Sequence, residues 1–188
     1  MKKLLVLFTL IITTMTFSET TYFQVGVTPN LNICKGDEVT GLRVPILFGK
    51  TDVVKGVDFT FIAGESNEFY GFKGGIFLGA GIVSMVDYKF RGVGFNMVNL
   101  QDGDSKGALI GVGNLTNEFS GFKMGILNYS RGSAGFEFGV FNYSNEPFIQ
   151  VGLINIASKI DGVQIGLLNF AKDGILPVMP FVNFNWRL

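Results

Sequence analysis

The chain has 188 residues, with 26 Gly, 20 Phe, one Cys and no His, and 15 basic residues balance 15 acidic ones. That length allows one domain. Without histidine there is no Ser-His-Asp triad and no HExxH zinc site, one cysteine makes neither an internal disulfide nor a Cys-based zinc site, and the balanced charge gives no basic footprint for nucleic acid.

The N-terminus reads as an export signal over residues 1–18. Met1-Lys2-Lys3 is a positive start, residues 4–17 are uncharged and rich in Leu, Ile, Val and Phe, and Ser18 precedes the first acidic residue, Glu19. The apolar run is short for a membrane span, which needs about 20 residues. Cleavage there leaves a single β-repeat domain over residues 19–188. Leu31-Asn32-Ile33-Cys34 loosely matches a lipidation box, but Glu19, Gln24 and Pro29 separate it from the apolar run. Cys34 is therefore expected as a lone thiol in a strand or loop.

A repeat occupies the rest. Residues 107–114 read Gly-Ala-Leu-Ile-Gly-Val-Gly-Asn and residues 121–128 read Gly-Phe-Lys-Met-Gly-Ile-Leu-Asn. The pattern returns at 135–142, 148–155 and 162–169. With h for an apolar residue, the unit is Gly-h-x-h-Gly-h-h-Asn-h followed by a polar turn. Its closing asparagines, Asn114, Asn128, Asn142, Asn155 and Asn169, stand 14, 14, 13 and 14 residues apart. Its second glycines are Gly111, Gly125, Gly139, Gly152 and Gly166. Weaker copies lie upstream: residues 92–99 carry Asn96 for the second Gly, and Gly71, Gly56 and Gly41 keep the opening.

Inside each unit the period is two. Val163, Ile165 and Leu167 alternate with Gln164 and Gly166, and Phe122, Met124 and Ile126 alternate with Lys123 and Gly125. Alternation of this kind, rich in β-branched and aromatic residues, predicts strands. Two glycines per unit would cost a helix about 1 kcal/mol each. The connectors at 116–118, 130–133, 144–147 and 157–159 carry Ser, Asn, Gly and Pro, which is turn chemistry. The fold class is all-β.

The arithmetic admits two architectures. The main expectation is an antiparallel meander of about 10–12 short strands, closed or nearly closed into a barrel, because a strand of about 9–11 residues crosses a bilayer. Apolar triplets such as Phe136, Phe138 and Val140 would face outward, and Gly, Lys123, Glu137, Gln150 and Gln164 inward. The C-terminal alternation of Val182, Phe184, Trp186 and Leu188 with Asn183, Asn185 and Arg187 is similar to the terminal strand of outer-membrane barrels. The alternative is a β-solenoid, in which each unit is one coil and the asparagines stack as a ladder. In either architecture the glycines are read as structural: at the Gly121 and Gly125 type of position the missing side chain lets another backbone or a bulky neighbour approach, and the main expectation is that they permit sheet curvature.

Candidate chemistry is thin. Gly92-Val-Gly94 and Gly111-Val-Gly113 fall short of a phosphate-binding GxGxxG. Asp102-Gly-Asp104 lacks the remaining ligands of a calcium loop and reads as a hairpin turn. Asn114, Asn128 and Asn142 open glycosylation triplets because the repeat places them there. Lys123 and Glu137 occupy equivalent positions and are expected to pair across neighbouring strands. Tyr129, Tyr143 and Phe170 cap the sheet edge, or else form a girdle or sugar-stacking row. No catalytic, cofactor or metal residues emerge.

The unit over residues 162–169, Gly-Val-Gln-Ile-Gly-Leu-Leu-Asn, followed by Gly174-Ile-Leu-Pro-Val-Met-Pro180 and a short aromatic tail, resembles the bacterial surface repeat-containing family of exported Gram-negative proteins. The resemblance implies export and placement in the cell envelope, and it supplies no catalytic or ligand residues. The expected function is that of an exported cell-envelope protein, an outer-membrane barrel or surface protein with a structural, adhesive or passive-permeation role. Its partners would be outer-membrane or cell-surface components. The alternative is a secreted soluble solenoid that binds a partner or polysaccharide.

Overall fold

The computed structural model describes residues 20–75 and 81–185. The export segment expected at 1–18 and the Trp186–Leu188 end of the terminal alternation lie outside these residues. The strands, in chain order, are β1 (Thr20–Thr28), β2 (Leu31–Ile33), β3 (Glu38–Pro45), β4 (Phe48–Phe59), β5 (Ala63–Gly74), β6 (Gly81–Ile110), β7 (Gly113–Ala157), β8 (Val163–Ala171) and β9 (Val178–Phe184). They form one sheet in the order β2-β1-β3-β4-β5-β6-β7-β8-β9.

The pairing direction decides the architecture. From β1 through β3 and on to β8, every neighbour in the sheet is parallel. Equivalent repeat positions meet: Gly41 pairs with Gly56, Gly56 with Gly71, Gly71 with Gly92, Gly107 with Gly121, and Asn155 with Asn169. The strand β7 has 45 residues and would run about 150 Å if straight. It instead winds around the axis, bending at each unit, so that each repeat lies on the one before. The chain is a β-solenoid.

The antiparallel meander is therefore wrong, and with it the closed barrel. Alternation with a period of two is common to both architectures and does not report strand direction. In a meander, equivalent residues of successive units would sit at opposite ends of neighbouring strands. Here translation alone relates them. Among the described residues only the two ends of the sheet are antiparallel: β2 folds back on β1, and β9 folds back on β8.

Inward side chains stack in columns. One is apolar, with Val39, Val54, Phe69 and Phe90 in register and Ser105 and Phe119 continuing it. Val54, Phe69, Val86, Phe90, Leu109 and Phe119 pack as one buried cluster. A second column runs Arg43, Asp58 and Lys73, then Leu109 and Lys123, then Gln150, Gln164 and Asn183. The third is the asparagine column. Most of the interior of the second half is thus polar. It is tolerated because the asparagines and the Lys123, Glu137 and Gln150 groups meet partners one coil away, which removes the cost of an unmade hydrogen bond, whereas the buried Gln101 amide makes none.

Candidate functional site

The repeat asparagines and second glycines come together in one device. Asn99 donates to Asn114, Asn114 to Asn128, Asn128 to Asn142, Asn142 to Asn155 and Asn155 to Asn169, each through Nδ2 to Oδ1 at 2.7–2.9 Å. All six are fully buried. The second amide proton goes to the backbone. Asn114 donates to Met124 O, Asn128 to Phe138 O, Asn142 to Val151 O and Asn155 to Ile165 O, at 2.9–3.1 Å. Each of these carbonyls belongs to the residue just before a repeat glycine, in the next coil.

The glycines leave room for that ladder. A Cβ at Gly152 would collide with the Gly139 carbonyl oxygen and stand 2.6 Å from Asn142 Nδ2. Close approach, rather than the expected sheet curvature, accounts for this column. The opening glycines have a different reason. Gly121 holds φ at +138° and a Cβ there would collide with Gly107 O. An L side chain is disfavoured in that region.

Two ion networks fill the second inward column. Arg43 Nη1 lies 3.3 Å and Lys73 Nζ 3.7 Å from Asp58 Oδ2, all three fully buried. Lys73 also donates to Gly64 O and Met85 O. Burial pulls its ammonium down from 10.5 to about 8, against the upward pull of Asp58. Further along, Lys123 Nζ meets Glu137 Oε1 at 2.7 Å, so the expected pair forms, but in the interior. Burial lowers the Lys123 value, and Glu137 opposes that. Glu137 Oε2 accepts from Ser144 at 2.6 Å and from Gln150 at 2.7 Å. Every group in both networks is closed off from solvent, so neither network can meet a substrate.

With its polar side chains turned inward, the sheet presents its apolar triplets to the outside. Phe122, Met124 and Ile126 are exposed, as are Phe136, Phe138 and Val140 in the next coil. Exposure reaches 57% at Ile126 and 59% at Leu167. The outward placement matches the expectation from the sequence, although a solenoid and not a barrel delivers it. Met124, Phe138, Val151 and Ile165 make one ridge, and Ile126, Val140, Leu153 and Leu167 a second. Between them runs a trough of about 890 Å³, floored by the Gly111, Gly125, Gly139, Gly152 and Gly166 backbones. Phe181 and Val182 of β9 close one end. In register with Gly166, Phe181 has a φ of 69° and is 71% exposed. Soluble monomers rarely expose an apolar patch beyond a few hundred Å². This wall is the candidate functional surface.

The other sequence candidates resolve differently. Asn117 Nδ2 donates to Asp102 Oδ1 at 2.9 Å, and Arg91 pairs with Asp104, so these carboxylates are already engaged. Their segment is a register shift between parallel coils and not a hairpin. Among the described residues no group of three or more acidic, Cys or His side chains could hold a metal ion. The glycosylation asparagines are buried in the ladder and closed to an enzyme. Tyr129 and Tyr143 stack on each other with centroids 5.1 Å apart. Ile156 pairs with Phe170 in the same column, so the aromatic run is short and no extended sugar-stacking row forms. Cys34 is buried just after β2.

Comparison with known protein families, with curated proteins and with solved structures finds no match for this chain.

Sequence reasoning missed the Arg43, Asp58 and Lys73 network. The signal was present: the three stand 15 residues apart, with alternating sign, at the same place after Gly41, Gly56 and Gly71.

Proposed function

We propose that this protein is an exported, non-catalytic β-solenoid of the bacterial cell envelope, a rigid scaffold that makes contact through its apolar wall. The observation that carries the reading is the inverted side-chain distribution. Asparagine, glutamine and paired charges are inside, and Phe, Ile, Leu, Val and Met line one outer wall along the repeats. A scaffold stabilised by internal polar ladders leaves its hydrophobic surface free to meet something else. Export is supported by the Lys2, Lys3 and residue 4–17 pattern. Envelope placement rests on the resemblance to the surface repeat-containing family.

Cell fractionation with an antibody to the chain tests this. The protein is expected in the envelope fraction or outside the cell, with the segment at 1–18 removed. Recovery in the cytosol with the N-terminus intact would refute export. A surface role and a secreted role separate in the same experiment, by envelope retention after a salt and carbonate wash.

A further inference from the structure

The apolar wall has a shape that fits one kind of occupant. We infer that two copies of this chain pair wall to wall, each laying a ridge into the other's glycine-floored trough. The inference rests on the reading of the wall as a contact face and names what covers it.

Self-complementarity comes first. A two-fold dimer needs one patch that fits itself. This wall carries both halves of such a fit, two ridges and the trough between them. The ridges are about 7 Å apart, two residues along a strand, and their side chains repeat about every 4.8 Å along the axis. A second copy repeats at the same spacing, so contacts made in one coil recur in the next. Facing sheets pack in this way, about 10 Å apart.

Area comes second. In-register coils carry outward Leu42, Val57, Phe72 and Val93 at the N-terminal end, and the wall continues to Val182. Nine coils at about 4.8 Å span about 40 Å, and four residue steps across the wall give about 15 Å. The projected area is about 600 Å², and a corrugated surface has more accessible area than its projection. A standard protein interface buries about 800 Å² per partner. The projected wall of one copy is thus about three-quarters of that value before its corrugation is counted.

Charge selects against a lipid surface. Along the coils from residue 38 to 172 the exposed charges are mixed, with seven acidic and six basic groups. Glu118, Arg131 and Glu146 sit within β7, and no basic excess flanks the wall. Surface-bound membrane proteins flank the apolar face with Lys and Arg that meet anionic headgroups. This wall has no such collar.

Light scattering on the purified chain across 1–100 μM tests the inference, alongside a variant carrying Ile126→Lys and Leu153→Lys. The wild type is expected at twice the chain mass. The variant is expected as a monomer, with at least a 100-fold weaker dimer and an unchanged β circular dichroism. Both positions point outward, so the substitutions leave the ladders intact. If the lysine variant loses its β spectrum, Val140→Thr with Leu167→Thr is substituted and must give the same loss of mass. A wild type that stays monomeric to 100 μM overturns the inference, and so does a dimer that survives both folded variants. A monomer that floats with phosphatidylcholine and phosphatidylglycerol vesicles overturns it in favour of lipid, while leaving the wall as a contact face. A monomer that neither floats nor binds an apolar dye removes both.

Discussion

At the level of single residues, stability depends on how completely the interior polar groups are paired. Asn142 shows this. Its Oδ1 accepts from Asn128, and its Nδ2 protons go to Asn155 and to Val151 O. Asn142→Ala strands a donor on Asn128 and acceptors on Asn155 and Val151, all away from water. Each unmade buried partner costs about 1–3 kcal/mol, and partial relaxation limits the sum. The expected loss is about 3–4 kcal/mol in urea unfolding, well above the loss for an exposed turn residue such as Glu146→Ala. Lys73 makes a second prediction. Its folded value is about 8 against 10.5 in the unfolded chain. Between those values the unfolded chain holds the proton and the folded chain does not. Stability therefore rises with pH from about 8 to about 10.5, and is flat in this group below 8. The separation corresponds to about 3 kcal/mol at most. Chemical denaturation at pH 7.5 and 10 should show the gain, and Lys73→Met should lose it.

At the level of the coil, the unit and its alternation were legible in the sequence, but the direction of its neighbour was not. Period-two patterning places Phe136, Phe138 and Val140 on one face whichever way the next strand runs. The information about direction lay in column chemistry. Asparagine at every eighth position of the unit, and opposite charges one repeat apart, are useful only where equivalent positions touch. Lys123 and Glu137 meet because their coils are parallel. A prediction tests that contact. Glu137→Gln leaves Lys123 as a buried cation with no counter-charge, facing the Thr116 and Ser130 hydroxyls and the Phe119 ring. Removing one partner of a buried pair costs about 3–5 kcal/mol. Because burial already lowers the Lys123 value, the loss should shrink as pH rises and the ammonium gives up its proton. Lys123→Met added to Glu137→Gln should recover most of the stability at pH 7, since a neutral column needs no counter-charge. Urea midpoints of the wild type, the single variant and the double variant decide this. Equal midpoints for the single and double variants would mean that the pair carries no coupling.

At the level of the whole molecule, a solenoid is close to one-dimensional: each coil contacts its neighbours, and stability is roughly a sum over coils and their interfaces. Local symmetry then predicts what can be cut out. Deleting residues 143–155 removes one full coil and joins Asn142 to Ile156. Asn142 would then stand directly before Asn169 in the ladder and could donate to Ile165 O, which Asn155 now serves. Glu137 would lose Gln150 but face Gln164, whose Nε2 now bonds Gln150. Every column closes again. Deleting only residues 149–155 removes half a coil, so every following residue falls half a coil away from its counterpart in the preceding repeat. Gln164 and Asn169 would fall at the places of Ala157 and Gly162, out of reach of Glu137 and Asn142, and a side chain at the Gly162 place collides with Phe148 O. The full-coil deletion is expected to keep its β circular dichroism and one cooperative transition, at a lower urea midpoint because one interface is gone. The half-coil deletion is expected to lose the cooperative transition. If both deletions unfolded alike, the repeats would not be interchangeable coils, and stability would rest on contacts particular to residues 143–155.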